Sequence, residues 1–111
     1  MRKLLAAVLM VPAIANAEFV SGNDLLSKLN STDYSDKHYA LGYILGVFDA
    51  GQTVRHCTPN NAGINAGQVQ DIVKQYLNAN PAVRNFSADL IVTDALKRIW
   101  PCANKPQGRP A

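Results

Sequence analysis

Tyr39-Ala40-Leu41-Gly42-Tyr43-Ile44-Leu45-Gly46-Val47-Phe48-Asp49-Ala50-Gly51 reads as a helix with apolar residues on every side. Ala40, Ile44, Val47 and Gly51 share one stripe, and Leu41, Leu45 and Phe48 share the next. A helix that is apolar all round has to be covered on several faces, so other helices are expected around it. Gly42 and Gly46 stand four apart on one face. Glycine costs about 1 kcal/mol in a helix interior, so a neighbouring backbone is expected to approach closely at that face. A G-x-x-x-G pair also occurs in membrane dimers, but the run is shorter than the about 20 apolar residues that a span requires. Asp49, the one charge near the end of the run, is expected to be a solvated or locally hydrogen-bonded carboxylate.

The flanking sequence supplies those other helices. Ser21-Gly22-Asn23-Asp24 is a helix start, with Ser21 as N-cap and Asp24 three residues on. Leu25, Leu26 and Leu29 form its apolar face, and it should end near Asn30. Ser35 can cap the next helix, with Asp36 in its first turn. That helix is expected to run through the central stretch to Arg55 or His56, roughly 20 residues or 30 Å. Thr58-Pro59-Asn60-Asn61-Ala62-Gly63 is a turn-rich break. Asn65 then caps a third helix, with Gln68 completing a capping-box pattern and Val69, Ile72, Val73, Tyr76 and Leu77 as its apolar face. It should end at Asn78-Ala79-Asn80-Pro81, where Pro81 can start a short turn. Ser87 looks like the cap of the last helix, whose stripe is Ala88, Ile91, Val92, Ala95, Leu96 and Ile99. Trp100-Pro101-Cys102 stops it, because proline is poorly tolerated inside a helix. No strand pattern competes. The expected fold is all-α: a small bundle of four helices around the Tyr39–Gly51 helix, with one disulfide.

The chain has 111 residues, enough for one domain with a modest core. Arg2 and Lys3, the apolar run Leu4 to Ile14, and Ala15-Asn16-Ala17 have the layout of a secretory signal peptide. Residues 1–17 are therefore expected to be cleaved, 18–102 to form the domain, and 103–111 to be a disordered tail. No cysteine follows the apolar run, so a lipid anchor is not expected. Without Arg2 and Lys3, nine basic residues face eight acidic ones, with no basic stripe. Nucleic-acid binding has no support, and neither has membrane attachment after cleavage. Cys57 and Cys102 both lie in the exported region, where an oxidising compartment makes a disulfide between them the default. Closing a loop of about 46 residues is worth ~4 kcal/mol in the chain-entropy model. Two free thiols or a catalytic cysteine are the alternative, but His56 beside Cys57 in sequence does not by itself make a thiol–imidazole pair.

No catalytic constellation can be assembled. His38 and His56, eighteen apart on one helix, would be roughly 27 Å apart, too far to share a metal or a proton. No metal-ligand, nucleophile-elbow or phosphate-loop motif occurs. Asp33 with Asp36, and Asp89 with Asp94, fit helix-dipole or polar-face positions. Tyr34, Tyr39, Tyr43 and Tyr76 fit core-edge positions with a wet hydroxyl better than a binding cage. No cofactor or metal is expected, and the chain reads as a binding protein and not as an enzyme.

The residues also carry a resemblance. It runs through Ser21-Gly22-Asn23-Asp24-Leu25-Leu26, then Gly42-Tyr43-Ile44-Leu45-Gly46-Val47-Phe48-Asp49-Ala50, then Cys57-Thr58-Pro59. Gln68-Val69-x-x-Ile72-Val73-x-x-Tyr76-Leu77-x-x-x-Pro81, Ala88-x-Leu90-Ile91-x-x-Ala95-Leu96 and Trp100-Pro101-Cys102 complete it. In order and spacing these blocks resemble the Rap/Tai family of immunity proteins, which protect bacteria against peptidoglycan amidase effectors of type VI secretion. The resemblance implies a small, helical, periplasmic and often dimeric inhibitor that occludes the cleft of a cysteine-dependent amidase. Gly42, Tyr43, Gly46 and Asp49 would be its structural motif. The expected contact is the loop Pro59 to Ala66, held at its base by the disulfide: Pro59, Asn60, Asn61, Gly63, Ile64 and Asn65, with Gln68 and Gln70 beyond it. The Asn78–Phe86 connection is the second candidate, and plain connection is the alternative for both. The sequence departs at Leu29 and Ala40, where many relatives carry a further cysteine pair. Two other functions compete: an HdeA-like periplasmic acid-stress chaperone, also exported, helical and disulfide-tied, and a minor secreted hydrolase.

Overall fold

Ser21 and Asp24 open the fold with a reciprocal cap. The Asp24 amide donates to Ser21 Oγ at 3.1 Å, and the Ser21 amide donates to the Asp24 carboxylate at 3.2 Å. These bonds satisfy N–H groups that the first helical turn leaves unpaired. The computed structural model describes residues 19–60 and 63–103. The expected leader, the tail beyond Ala103, and Asn61 and Ala62 lie outside the described residues. Four helices follow: α1 (Gly22–Asn30), α2 (Tyr34–Gly51), α3 (Ala66–Ala79) and α4 (Ala88–Ile99), with a 3-10 turn over Pro81–Val83. Among the described residues no helix is long and apolar enough to cross a membrane.

The core is built from the stripes that the periodicity marks, except that Ile99, expected in the last of them, is 52 % exposed. Leu25, Leu26 and Leu29 of α1, Val69, Val73 and Leu77 of α3, and Ala88, Ile91, Val92 and Leu96 of α4 pack into one cluster with Ala40 and Ile44 of α2. Each of the four helices touches the other three. α2 buries Ala40, Ile44 and Gly51 among them but is not covered all round. Leu29 and Ala40 are both buried in this cluster.

Two readings of α2 need correction. It begins earlier than Ser35: Asp33 is its N-cap, accepting the Ser35 amide at 3.4 Å. Ser31 supports that start by accepting the Asp33 amide and donating to the Asp36 carboxylate. α2 also ends at Gly51, not at Arg55 or His56. There the Gly51 carbonyl accepts the amides of Val54, Arg55 and His56, and the chain folds back. The spacing between His38 and His56 derived from a continuous helix therefore does not apply.

The glycine face of α2 needs correction as well. No neighbour lies within 4 Å of where a Cβ would stand on Gly42 or Gly46, and both residues are exposed. The close approach occurs instead at Gly22. A Cβ there would stand 2.5 Å from the Ile91 side chain and 2.9 Å from the Arg84 carbonyl oxygen. This contact closes α1 onto the start of α4, where Gly22 donates to Phe86, Asn23 donates to Arg84, and Ala88 donates to the Val20 carbonyl.

Candidate partner-binding surface

The corner after α2 is held from several sides. Cys57 and Cys102 form the disulfide, with their Cα atoms 4.8 Å apart. Beside it the Cys57 amide donates to the Trp100 carbonyl at 2.8 Å, which ties the corner to the end of α4. Gln52 clasps Thr58 with both ends of its amide: Nε2 donates to Thr58 Oγ1 at 2.8 Å, and Oε1 accepts the Thr58 amide at 3.2 Å. The Thr53 amide donates to the His56 carbonyl at 2.8 Å. Thr53 itself is left-handed, with φ of 65°. A β-branched residue in that region is an outlier, costing about 1–3 kcal/mol, so the surrounding bonds must enforce it.

His56 fills the space beneath this turn. It is 1 % exposed, its ring lies 4.8 Å from that of Phe48, and Phe48 in turn meets Trp100 edge-on at 6.2 Å. Its Nε2 has no hydrogen-bond partner. Burial pushes the imidazole below its ordinary pKa, because the charged form would lose its hydration. An apolar stack around a neutral ring makes His56 a packing residue of the corner, with no second titratable group joined to it by a described hydrogen bond.

The expected contact residues divide into two groups. Pro59, Asn60, Gly63 and Gln68 are exposed, and Gly63 takes φ of 65°, a conformation open to glycine without steric cost. Ile64 is half-buried against the core. The side-chain oxygen of Asn65 caps α3 by accepting the Gln68 amide at 2.9 Å. Among the described residues the reciprocal bond from the Gln68 side chain is absent, which leaves that amide at the surface. Gln70 is half-buried. Asn61 lies outside the described residues.

The second candidate, Asn78–Phe86, is a fastened connection. Arg84 Nε donates to the Leu77 carbonyl at 2.7 Å, and Asn80 Nδ2 donates to the Tyr76 carbonyl at 2.9 Å. Phe86 and Leu90 nevertheless stay largely exposed beside it. Next to them the Tyr76 hydroxyl and Arg98 both donate to Asp94, and the Arg98 guanidinium lies 5.5 Å from the Tyr76 ring centre. The Tyr76 bond, with Arg98 assisting, holds the Asp94 carboxyl below its usual range. Sequence reasoning missed this cluster because its members sit on two helices, although the Asp94–Arg98 spacing of four was a usable signal.

The remaining motif residues line an open groove of about 490 Å³ between α2 and α4. Gly42, Gly46 and Ala50 lie along its α2 side, Asp89 and Leu90 along its α4 side, and Arg55 at the corner. Tyr43 is half-buried there, and burial, together with the nearby Asp89 carboxylate, raises its pKa. Asp49 is exposed, and its carbonyl accepts the Gln52 amide. Of the other tyrosines, Tyr34 is not at the core edge; it is 74 % exposed and rests against His38. Among the described residues no group of acidic, histidine or cysteine side chains could hold a metal ion.

No curated protein sequence matches the chain. The family of Rap1a immunity proteins matches it over residues 21–102. Those limits run from the Ser21 cap to the second half-cystine, and so take in all four helices, the corner and the disulfide. On that match the chain belongs to the Rap1a immunity protein family.

Proposed function

We propose that this protein is exported to the periplasm and there binds and inhibits a cysteine-dependent peptidoglycan amidase effector of type VI secretion. It acts by occluding the amidase active site and carries out no chemistry itself. The observation that carries this reading is the covalently closed corner at Cys57–Cys102, from which Pro59, Asn60, Gly63 and the exposed Gln68 project. A surface ordered before binding loses less entropy on association, as a tight inhibitor requires. Two copies are proposed to associate through the open Gly42–Gly46–Ala50 face. Small residues there would admit a second helix, and a two-fold arrangement would make the surface self-complementary.

The test is an inhibition assay. Oxidised protein is titrated into a purified cysteine-dependent peptidoglycan amidase effector while peptidoglycan cleavage is followed. Stoichiometric inhibition supports the immunity role. An undiminished rate with no complex on gel filtration sinks it. Sedimentation of the protein and of Gly46→Leu tests self-association: a wild-type dimer dispersed by the leucine is expected, and a wild-type monomer at high concentration overturns it.

A further inference from the structure

We propose that the tight turn Gln52–Arg55 is the rigid half of the effector contact, with Val54 seated in an apolar hollow and Arg55 against a carboxylate of the amidase. This rests on the immunity reading and adds to the Pro59–Gln68 segment a surface that the sequence did not suggest. Three observations carry it. First, the backbone of the turn is determined beyond what ending a helix requires. The Gly51 carbonyl takes three amides, Thr53 is held left-handed, and Gln52 clasps Thr58 at two points. Strained residues enforced in this way cluster at binding sites, and the inference runs from the outlier to the function.

Second, all of this restraint comes from Gly51, Gln52, Thr53, His56 and the disulfide, not from the side chains at the tip. Val54 is 73 % exposed, and Arg55 is exposed with no ion pair to a described residue. The fold thus presents an aliphatic group and a guanidinium on adjacent residues of a hydrogen-bonded turn. Arginine is enriched among the residues that dominate interfaces, and its forked donors match a carboxylate. Third, the Gln52–Thr58 clasp joins this tip to the start of the Pro59 loop, so one partner can meet both segments.

The partner that fits is a protein with an acidic rim beside an apolar depression. The test measures binding of oxidised wild-type protein, Val54→Asp, Arg55→Glu and Arg55→Gln to the purified cysteine-dependent amidase effector used in the inhibition assay. Circular dichroism and thiol titration establish that each variant is folded and oxidised. Val54→Asp and Arg55→Glu should each weaken the complex about thirtyfold or more, the level of an interface hot spot. Arg55→Gln should weaken it less and flatten its salt dependence, since a rim charge acts largely on association rate. If the folded variants bind within about threefold of wild type, the immunity reading stands and this surface is not part of the contact. If wild type itself forms no complex, the immunity reading and this inference fall together. Should Val54→Asp fail to fold, the two Arg55 variants carry the same test.

Discussion

The two ends of α4 are fastened in different ways. At its start, α1 lies so close that a Cβ on Gly22 would stand 2.9 Å from the Arg84 carbonyl oxygen, and antiparallel backbone bonds join Val20 and Gly22 to Ala88 and Phe86. At its finish, the chain is tied covalently through Cys57–Cys102 and packed around the unpartnered His56 ring. The first end depends on the absence of a side chain, and the second on a bond that needs an oxidant. Between them the glycines of α2 face an open groove. Glycine identity therefore says little until its neighbour is known: at Gly22 it is a packing requirement, and at Gly46 it is a vacancy on the surface.

The largest expected effect is at the covalent end. Cys57→Ser with Cys102→Ser should lower stability by ~4 kcal/mol in urea unfolding, given the long loop that the bond closes. A loss below about 1 kcal/mol would mean that Trp100, Phe48 and the Gln52 clasp hold that end unaided, and the contrast would fail. At the other end, Gly22→Ala should cost about 1–3 kcal/mol by overpacking, because backbone oxygen and the buried Ile91 leave no room. A neutral result would show that the two helices can part at no cost.

Mild acid should act on the covalent end. The folded state keeps His56 neutral below the ordinary imidazole pKa of 6.5, whereas the unfolded chain binds a proton there. The stability that neutral burial supplies is therefore complete above 6.5 and is lost as the pH falls from that value toward the lower folded one. Asp94, held below the ordinary carboxylate value of 3.8, loses its contribution only in stronger acid. The urea midpoint of wild type should fall between pH 7 and about pH 5, and that of His56→Leu should fall less. Parallel losses in the two proteins would remove His56 from the account. The smallest effect has the opposite sign. Gly46→Ala, on an exposed helix face with nothing nearby, should raise monomer stability by up to ~1 kcal/mol. A loss measured on the dissociated monomer would mean that the groove is filled from within the chain.

Local features were legible in the sequence. Ser21 and Asn65 announce their helices because a cap acts on residues within one turn, and Val69, Val73 and Leu77 fall on the buried face that their spacing marks. The disulfide followed from compartment and count. What escaped depends on distant partners. Gly22 is a packing glycine because of Arg84 and Ile91, more than sixty residues away. The Gly51 corner is set by Trp100, Cys102 and a left-handed threonine that carries no sequence signal. Gly42 and Gly46 were misread because a G-x-x-x-G spacing says that a face is small and not what covers it. Within the candidate contact, Asn65 is the cap that its sequence context marks, whereas Ile64 is drawn toward the core by packing that no local signal shows.

The span of the disulfide also orders events in time. Cys57 finds its partner 45 residues later, after α3 and α4 have both been synthesised. The corner cannot be closed on a growing chain; an oxidant must meet a polypeptide already complete to Cys102. A product truncated within α4 would lose Cys102 together with part of the buried stripe of that helix, so an unclosed corner and an incomplete core would arise together.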